Sequence, residues 1–161
     1  MSYTTVERPG REAVVALGFV LAVNALGALP SLFVGADTTW FERPAFFPPT
    51  IAFPIVWTLL FTLLGVALYL VWRADVDSRA RWVAVGAFAV QFALNLLWTP
   101  AFFGLQRPDL GLIVIGLLWV AILGTIAAFD RVDRRAALLV VPYLAWVSFA
   151  GILNYAIFVG G

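Results

Sequence analysis

"PYLAWVSFAGILNYAIF", residues 142–158, is almost wholly apolar and contains no charged side chain. It belongs to a longer apolar run, approximately 136–159. A helix of roughly 20 apolar residues crosses a hydrocarbon core of about 30 Å, so the run predicts a transmembrane helix. The same stretch contains Tyr143, Ser148 and Asn154. Because lipid offers these polar groups no hydrogen bonds, they need partners on other helices or on a ligand.

Four further apolar runs of similar length precede this one, at approximately 13–35, 50–72, 82–105 and 110–129. The chain is 63% hydrophobic and 12% charged, whereas soluble domains are about 45–50% apolar and about 25% charged. We therefore predict an all-α integral membrane protein: a bundle of five transmembrane helices that forms a single domain over residues 1–161.

The longest segment between the predicted helices is "ADTTWFERPAFFPP", residues 36–49. It contains three prolines and three phenylalanines. Proline restricts the backbone, and the aromatic rings favour burial. We expect a structured cap across the mouth of the bundle between the first two helices.

Composition also excludes several classes of function. There is no Cys and no His, so thiol chemistry is absent and no metal site is expected. The net charge of +1 gives no broad basic surface, so nucleic acid is not an expected partner. No charged residue lies well inside a predicted span, which argues against an ion-driven carrier.

The basic residues predict an orientation. Eight of the ten arginines lie at the amino terminus or in the loops 73–81 and 131–135, and only Arg43 and Arg107 lie on the other side. By the positive-inside rule the amino terminus is then cytoplasmic and the carboxyl terminus outside. No Arg or Lys follows Tyr155, as a cholesterol motif would require, and we see no transit peptide. We expect a prokaryotic cytoplasmic membrane.

Two polar stripes carry the functional interpretation. Gln91, Asn95 and Thr99 recur every four residues and share one helical face. Tyr143, Trp146, Ala150 and Asn154 form a similar stripe on the last helix. The amides can serve as hydrogen bonds between helices, or the stripes can wall a pocket. Both interpretations stay open, and in the second we expect helices two to five to enclose an aromatic cleft beneath the cap.

Three segments together resemble one family. They are "RPAFFPPTIAFPIVW" (43–57), "QFALNLLWTPAFFG" (91–104) and residues 142–158. The chain resembles the TspO/MBR family, which comprises translocator proteins, tryptophan-rich sensory proteins and peripheral-type benzodiazepine receptors. The resemblance implies a five-helix bundle, often a homodimer, with a pocket that opens toward the first loop and binds porphyrins such as protoporphyrin IX. The ligand-binding residues that it implies are Arg43, Pro44, Phe46, Pro49, Asn95, Trp98, Tyr143, Trp146, Ala150 and Asn154.

The chain departs from the family pattern in the first loop. Asp37 and Thr38 stand where the family usually has a Trp-Tyr pair, Phe46 replaces a usual Trp, and Ile51 replaces another. Some bacterial relatives are similar to light-dependent enzymes that degrade porphyrin through pocket tryptophans. Trp146 is the candidate catalytic residue for such a reaction, and Ile51 removes the second tryptophan.

The resulting prediction is a membrane receptor or sensor for tetrapyrroles and related apolar ligands, in contact with membrane lipid. An aromatic slot suits a flat conjugated ring, and Arg43 could bind a propionate. No cofactor is required. With no His or Cys, Tyr is the main axial ligand left for iron, so we expect metal-free tetrapyrrole. A porphyrin-degrading enzyme and a porphyrin or lipid transporter remain alternatives.

Overall fold

The computed structural model describes residues 9–160 and confirms the predicted five-helix fold. The helices are α1 (Pro9–Phe33), α2 (Ala52–Arg73), α3 (Ser78–Thr99), α4 (Pro108–Asp130) and α5 (Arg134–Gly160). Each span is long and apolar enough to cross a membrane, and no strand occurs in this part of the chain. The chain is therefore an integral membrane protein. Arg8, which contributed to the predicted orientation, lies outside the described residues.

Most helix ends fall within a few residues of the predicted ones, and α3 differs at both its start and its end. The apolar pattern begins at about residue 82, whereas the helix begins at Ser78. The Asp77 side chain caps it, because its Oδ1 accepts a hydrogen bond of 2.9 Å from the backbone N–H of Ala80. The first turn carries charges that reach water, so hydropathy alone does not detect it.

Pro100 ends α3 and begins a π-helical turn, Pro100–Gly104. Proline has no N–H to continue the α-helical pattern. The Leu105 N–H instead donates to the Pro100 carbonyl at 2.9 Å, which is the wider i to i+5 spacing of a π-helix. A proline inside a helix typically causes a kink, and at Pro100 the irregularity takes the form of a π-turn. This turn buries Phe102, which is 2% exposed.

The order of packing around the bundle leaves one loose junction. α1 packs on α2, α2 on α5, α5 on α4 and α4 on α3, whereas α1 and α3 touch much less. At one close approach of the α1 and α2 backbones, a Cβ added to Gly65 would lie 2.6 Å from the Val20 Cα. Small residues permit such close helix contact in lipid. The helices are thus closely packed at four junctions, and the weak contact between α1 and α3 leaves an open space inside the bundle.

Residues 36–49 form the structured cap that the sequence predicts. The Trp40 indole N–H donates to the Asp37 carbonyl at 2.9 Å, and the Asp37 carboxylate accepts from the Thr39 N–H at 2.9 Å. This hydrogen bond to Thr39 lowers the pKa of Asp37 below its ordinary value. The Trp40 ring also packs 5.2 Å from Phe102, so aromatic contacts hold the cap against the π-turn.

Candidate ligand-binding site

A cavity of about 620 Å³ lies between α1, α2 and α3 beneath the cap. Pockets for small ligands are typically about 300–1,000 Å³. The lining residues come from three helices, the π-turn and the cap: Asn24, Gly27, Ala28, Ser31, Val34, Ala36, Thr38, Phe47, Thr50, Phe53, Pro54, Trp57, Thr58, Phe61, Asn95, Trp98, Thr99 and Phe103.

Two tryptophans in the cavity wall are each held by a stacked phenylalanine. Trp57 stacks on Phe61 with ring centroids 5.3 Å apart and planes inclined by 29°. Trp98 stacks on Phe102 at 5.0 Å and 13°. Each partner fixes the plane of its indole ring, so both tryptophans meet a ligand in a defined orientation. Such walls favour a flat aromatic ligand.

The polar groups of the cavity wall are all uncharged. The Asn24 amide N–H₂ donates to the Val20 carbonyl at 3.0 Å and to the Thr62 hydroxyl oxygen at 3.2 Å. Both of its donors are thereby used within the α1–α2 junction. A ligand with donor groups would find an amide oxygen at this position, and a charged ring system would find no counter-ion in the wall.

Asn95 lines the cavity, and Tyr143 supports it from behind. The Asn95 amide donates to the Tyr143 hydroxyl at 3.0 Å. Tyr143 is fully buried and is not part of the cavity wall. The Asn95–Tyr143 pair therefore fits the interpretation in which polar residues form hydrogen bonds between helices. Asn95 also fits the pocket interpretation, because it lines the cavity.

Ala150 lies beside a separate small void of about 10 Å³, which it shares with Trp57, Asn95 and Trp98. A void of this size holds about one water-sized sphere. These three neighbours of Ala150 also line the large cavity. The small side chain of Ala150 thus leaves room directly behind the wall that a ligand would touch.

Trp146 is separated from the cavity by Phe53. The two rings pack edge to face at 6.0 Å and 71°, and Phe53, but not Trp146, lines the cavity. The Trp146 indole N–H is buried and has no hydrogen-bond partner among residues 9–160. The candidate catalytic residue therefore lies one ring away from the space in which a ligand would bind.

Asn154 lies behind Trp98 rather than in the cavity wall. Its Oδ1 accepts from the Trp98 indole N–H at 3.1 Å, and its Nδ2 donates to the Pro108 carbonyl at 2.8 Å. The side chain is 1% exposed. Asn154 thus connects α3, the start of α4 and α5.

The four implied cap residues do not line the cavity. The Arg43 guanidinium donates to the Thr38 hydroxyl and lies 5.4 Å from the centre of the Phe47 ring, and both of these partners are wall residues. Phe46 packs 6.4 Å from Phe149. Pro44 and Pro49 shape the cap backbone: their carbonyls accept turn hydrogen bonds from Phe47 and Ala52, respectively.

α1 forms one side of the cavity. We expected helices two to five to enclose the cleft, which is wrong in part, because α1 supplies Asn24, Gly27, Ala28 and Ser31 and neither α4 nor α5 contributes. The spacing of Gly27 and Ser31 is typical of close helix packing. A Cβ on Gly27 would lie 2.4 Å from Phe61. α1 and α2 are therefore closely packed at Gly27, which also lines the cavity.

Comparison with known proteins gives a consistent result. A family model described as the TspO/MBR family matches residues 19–159. The tryptophan-rich protein TspO of Chlorobaculum tepidum is 43% identical over 145 residues, which cover 88% of this chain and 90% of that protein. Protein CrtK of Rhodobacter capsulatus is 33% identical over 86% of this chain and 88% of its own length. The translocator protein of Bos taurus is 35% identical, over 88% and 87%.

Proposed function

Because the chain belongs to the TspO/MBR family, we propose that it is a membrane sensor that binds tetrapyrroles, such as protoporphyrin IX, in the cavity beneath the cap. Family relatives include proteins named tryptophan-rich sensory protein and translocator protein. The observation that carries the proposal is the pair of fixed indoles, Trp57 and Trp98, in the wall of one cavity of about 620 Å³. A planar macrocycle buries both of its faces in such a space.

The charge distribution supports a ligand with an uncharged ring and charged edge groups. The cavity wall contains no ionic side chain, whereas Arg43 lies on the cap beside two wall residues. A porphyrin that enters ring first would leave its propionates at the mouth, where an arginine binds carboxylates with two parallel hydrogen bonds. No His or Cys exists in the chain to ligate iron, which supports metal-free tetrapyrrole as the ligand.

Binding has more support than Trp146-dependent degradation. Phe53 stands between Trp146 and the cavity, and Ile51 occupies the position of the family's other tryptophan. Closure of the cap over the ligand would be the signal. Phe102 stacks on the wall residue Trp98 and contacts Trp40 and Phe41 of the cap at 5.2 and 5.7 Å. A movement of the wall would therefore be passed on to the cap.

The proposal includes location and assembly. We propose a prokaryotic cytoplasmic membrane as its location, and the arginine distribution supports an amino terminus on the inner side. The cap then lies on the outer side. The homodimer implied by the family resemblance stays a prediction.

The test is quenching of tryptophan fluorescence by protoporphyrin IX, with the protein purified in detergent. We expect saturable quenching that the Trp98→Leu substitution weakens by about tenfold in Kd, which corresponds to roughly 1.4 kcal/mol. The matched control is Trp82→Phe on the same helix. Trp82 lies 16 residues from Trp98 and therefore about 24 Å away along the helix axis.

The control separates binding in the cavity from adsorption to the detergent-covered surface. Trp82 is 60% exposed, and its substitution should leave Kd unchanged. Quenching that does not saturate, or a Kd that Trp98→Leu leaves at the wild-type value, would contradict the proposal.

A further inference from the structure

Asn154 is buried behind the cavity, and its two hydrogen bonds allow only one orientation of its amide. An indole N–H only donates and a backbone carbonyl only accepts. The amide oxygen must therefore face Trp98, and the amide nitrogen must face Pro108, as the distances of 3.1 and 2.8 Å describe. The side chain cannot turn over without the loss of both bonds.

The surroundings hold Asn154 in place. Gly111 lies on the first turn of α4, where an added Cβ would lie 2.6 Å from Asn154 Oδ1 and 3.0 Å from Phe102 Cδ2. Only a residue without a side chain fits between them. Phe102 is the ring on which Trp98 stacks. Gly111 therefore provides space for both groups that support Trp98.

We infer that Asn154 is a positioning residue for the ligand site: it holds the Trp98 indole in one of the two orientations that a half-turn about its Cβ–Cγ bond would exchange, and Gly111 makes this contact possible. The Phe102 stack fixes the plane of the ring, but a half-turn about the Cβ–Cγ bond leaves that plane nearly unchanged and reverses the edge that carries the N–H. The hydrogen bond to Asn154 removes that freedom before a ligand arrives, and preorganisation of this kind strengthens binding. The inference rests on the proposed function only where affinity is measured.

The first experiment needs no ligand. In protein with ¹⁵N-labelled indoles, the Trp98 N–H signal is assigned by its disappearance in Trp98→Phe. We expect slow exchange of this proton with D₂O in the wild type and fast exchange in Asn154→Leu, because leucine has a similar volume but no acceptor. An exchange rate and chemical shift that Asn154→Leu leaves unchanged would overturn the inference.

A second pair of variants addresses the same contact from α4. Gly111→Ala should release the Trp98 proton in the same way as Asn154→Leu, because the new methyl group displaces Asn154 or Phe102. Gly116→Ala, on the same helix with no atom within 4 Å of the new Cβ, should behave as wild type. Equal exchange rates in the Gly111 and Gly116 variants would count against the inference, even if Asn154→Leu failed to fold.

The third experiment is a double-mutant cycle on the Kd of protoporphyrin IX. Asn154→Leu should weaken binding about fivefold when Trp98 is present and less than twofold in the Trp98→Phe background, because the energies of contacting residues do not add. The same fold-change in both backgrounds would refute the positioning role. If the wild-type protein bound no protoporphyrin, the proposed function would be wrong. The exchange result would still test whether Asn154 positions Trp98.

Discussion

The amide of Asn95 on α3 donates a hydrogen bond of 3.0 Å to the hydroxyl of Tyr143 on α5, one layer behind the cavity wall. Both residues are buried. This bond links the helix that carries Trp98 to the helix that carries Asn154. Tyr143 and Asn154 of the stretch 142–158 thus have hydrogen-bond partners on α3, whereas Ser148 accepts a hydrogen bond of 2.8 Å from the Trp119 indole N–H on α4.

The first prediction concerns this bond. Tyr143→Phe leaves the Asn95 donor without its partner in a buried position, which costs about 1–3 kcal/mol. We expect a lower midpoint of thermal unfolding in detergent. Tyr155→Phe, on the exposed side of the same helix, is the matched control and should change nothing.

The double variant Tyr143→Phe/Asn95→Leu sharpens the same prediction. Removal of both partners leaves no unsatisfied polar group, so stability should recover relative to Tyr143→Phe alone. A double variant that is less stable than either single variant would show that the hydrogen bond is not the source of the effect.

Much of the fold could be predicted from the sequence, because each helix is a long apolar run bounded by charges. A helix needs such a run to cross the membrane, and Pro and Arg residues lie near the ends of several of the runs. The π-turn that begins at Pro100 was not predictable in this way, and neither were the contacts of its Phe102 with Trp40 and Phe41 of the cap. Long-range contacts of this kind leave no local pattern.

The site was harder to predict than the fold. The periodicity places Asn95 and Asn154 on inward faces, but it cannot say which inward face meets empty space. Tyr143 and Asn154 lie behind the wall, and Gln91, from the same polar stripe as Asn95, is fully buried with no hydrogen-bond partner among residues 9–160. The contribution of α1 was missed because the spacing of its Gly27 and Ser31 is also that of close helix packing.

The second prediction uses the void beside Ala150. Ala150→Leu fills more than the 10 Å³ available and pushes on Trp57 and Trp98, and overpacking of this kind costs about 1–3 kcal/mol. We expect the Kd for protoporphyrin IX to rise about tenfold. Ala145→Leu, on the exposed side of α5, is the control. Equal affinities of the two variants would disprove the role of this void.

The third prediction separates the ring of the ligand from its charges. Arg43→Met keeps most of the side-chain length and removes the guanidinium. It should raise the Kd for protoporphyrin IX about fivefold, as expected for the loss of a partly exposed charged contact near 1 kcal/mol. The dimethyl ester of the same porphyrin has no carboxylate and should bind both proteins equally. A loss of affinity that is the same for acid and ester would exclude a propionate contact at Arg43.

The fourth prediction concerns the close approach of the α1 and α2 backbones at Gly65. Gly65→Ala places a methyl group 2.6 Å from the Val20 Cα, and backbone atoms cannot move aside without separating α1 from α2. We expect a loss of roughly 1–3 kcal/mol in the free energy of unfolding. Gly18→Ala meets nothing within 4 Å and should retain or slightly raise stability. Indistinguishable unfolding curves would show that α1 is free to shift.

The fifth prediction is a pH dependence at the start of α5. The side chain of Arg135 hydrogen-bonds Asp133 at 2.9 Å and holds the pKa of that carboxyl below its ordinary value of 3.8. Because the folded pKa is the lower one, the stabilisation is complete above the unfolded value and is lost as pH falls through the folded pKa. Asp133→Asn, which keeps an acceptor for the Arg135 N–H, should therefore be less stable than wild type at pH 7 by up to about 1 kcal/mol.

This difference should shrink to nothing as the pH falls below the folded pKa of Asp133, as measured by thermal unfolding at a series of pH values. A stability gap between Asp133→Asn and wild type that stays constant with pH would contradict the ion pair.

The most direct test is an experimental structure of the protein with protoporphyrin IX bound in a lipid environment. We expect the macrocycle between Trp57 and Trp98, with its propionates near Arg43 and the cap closed above it. A macrocycle bound on the outer face of the bundle, or against α4 and α5 away from both indoles, would contradict the account.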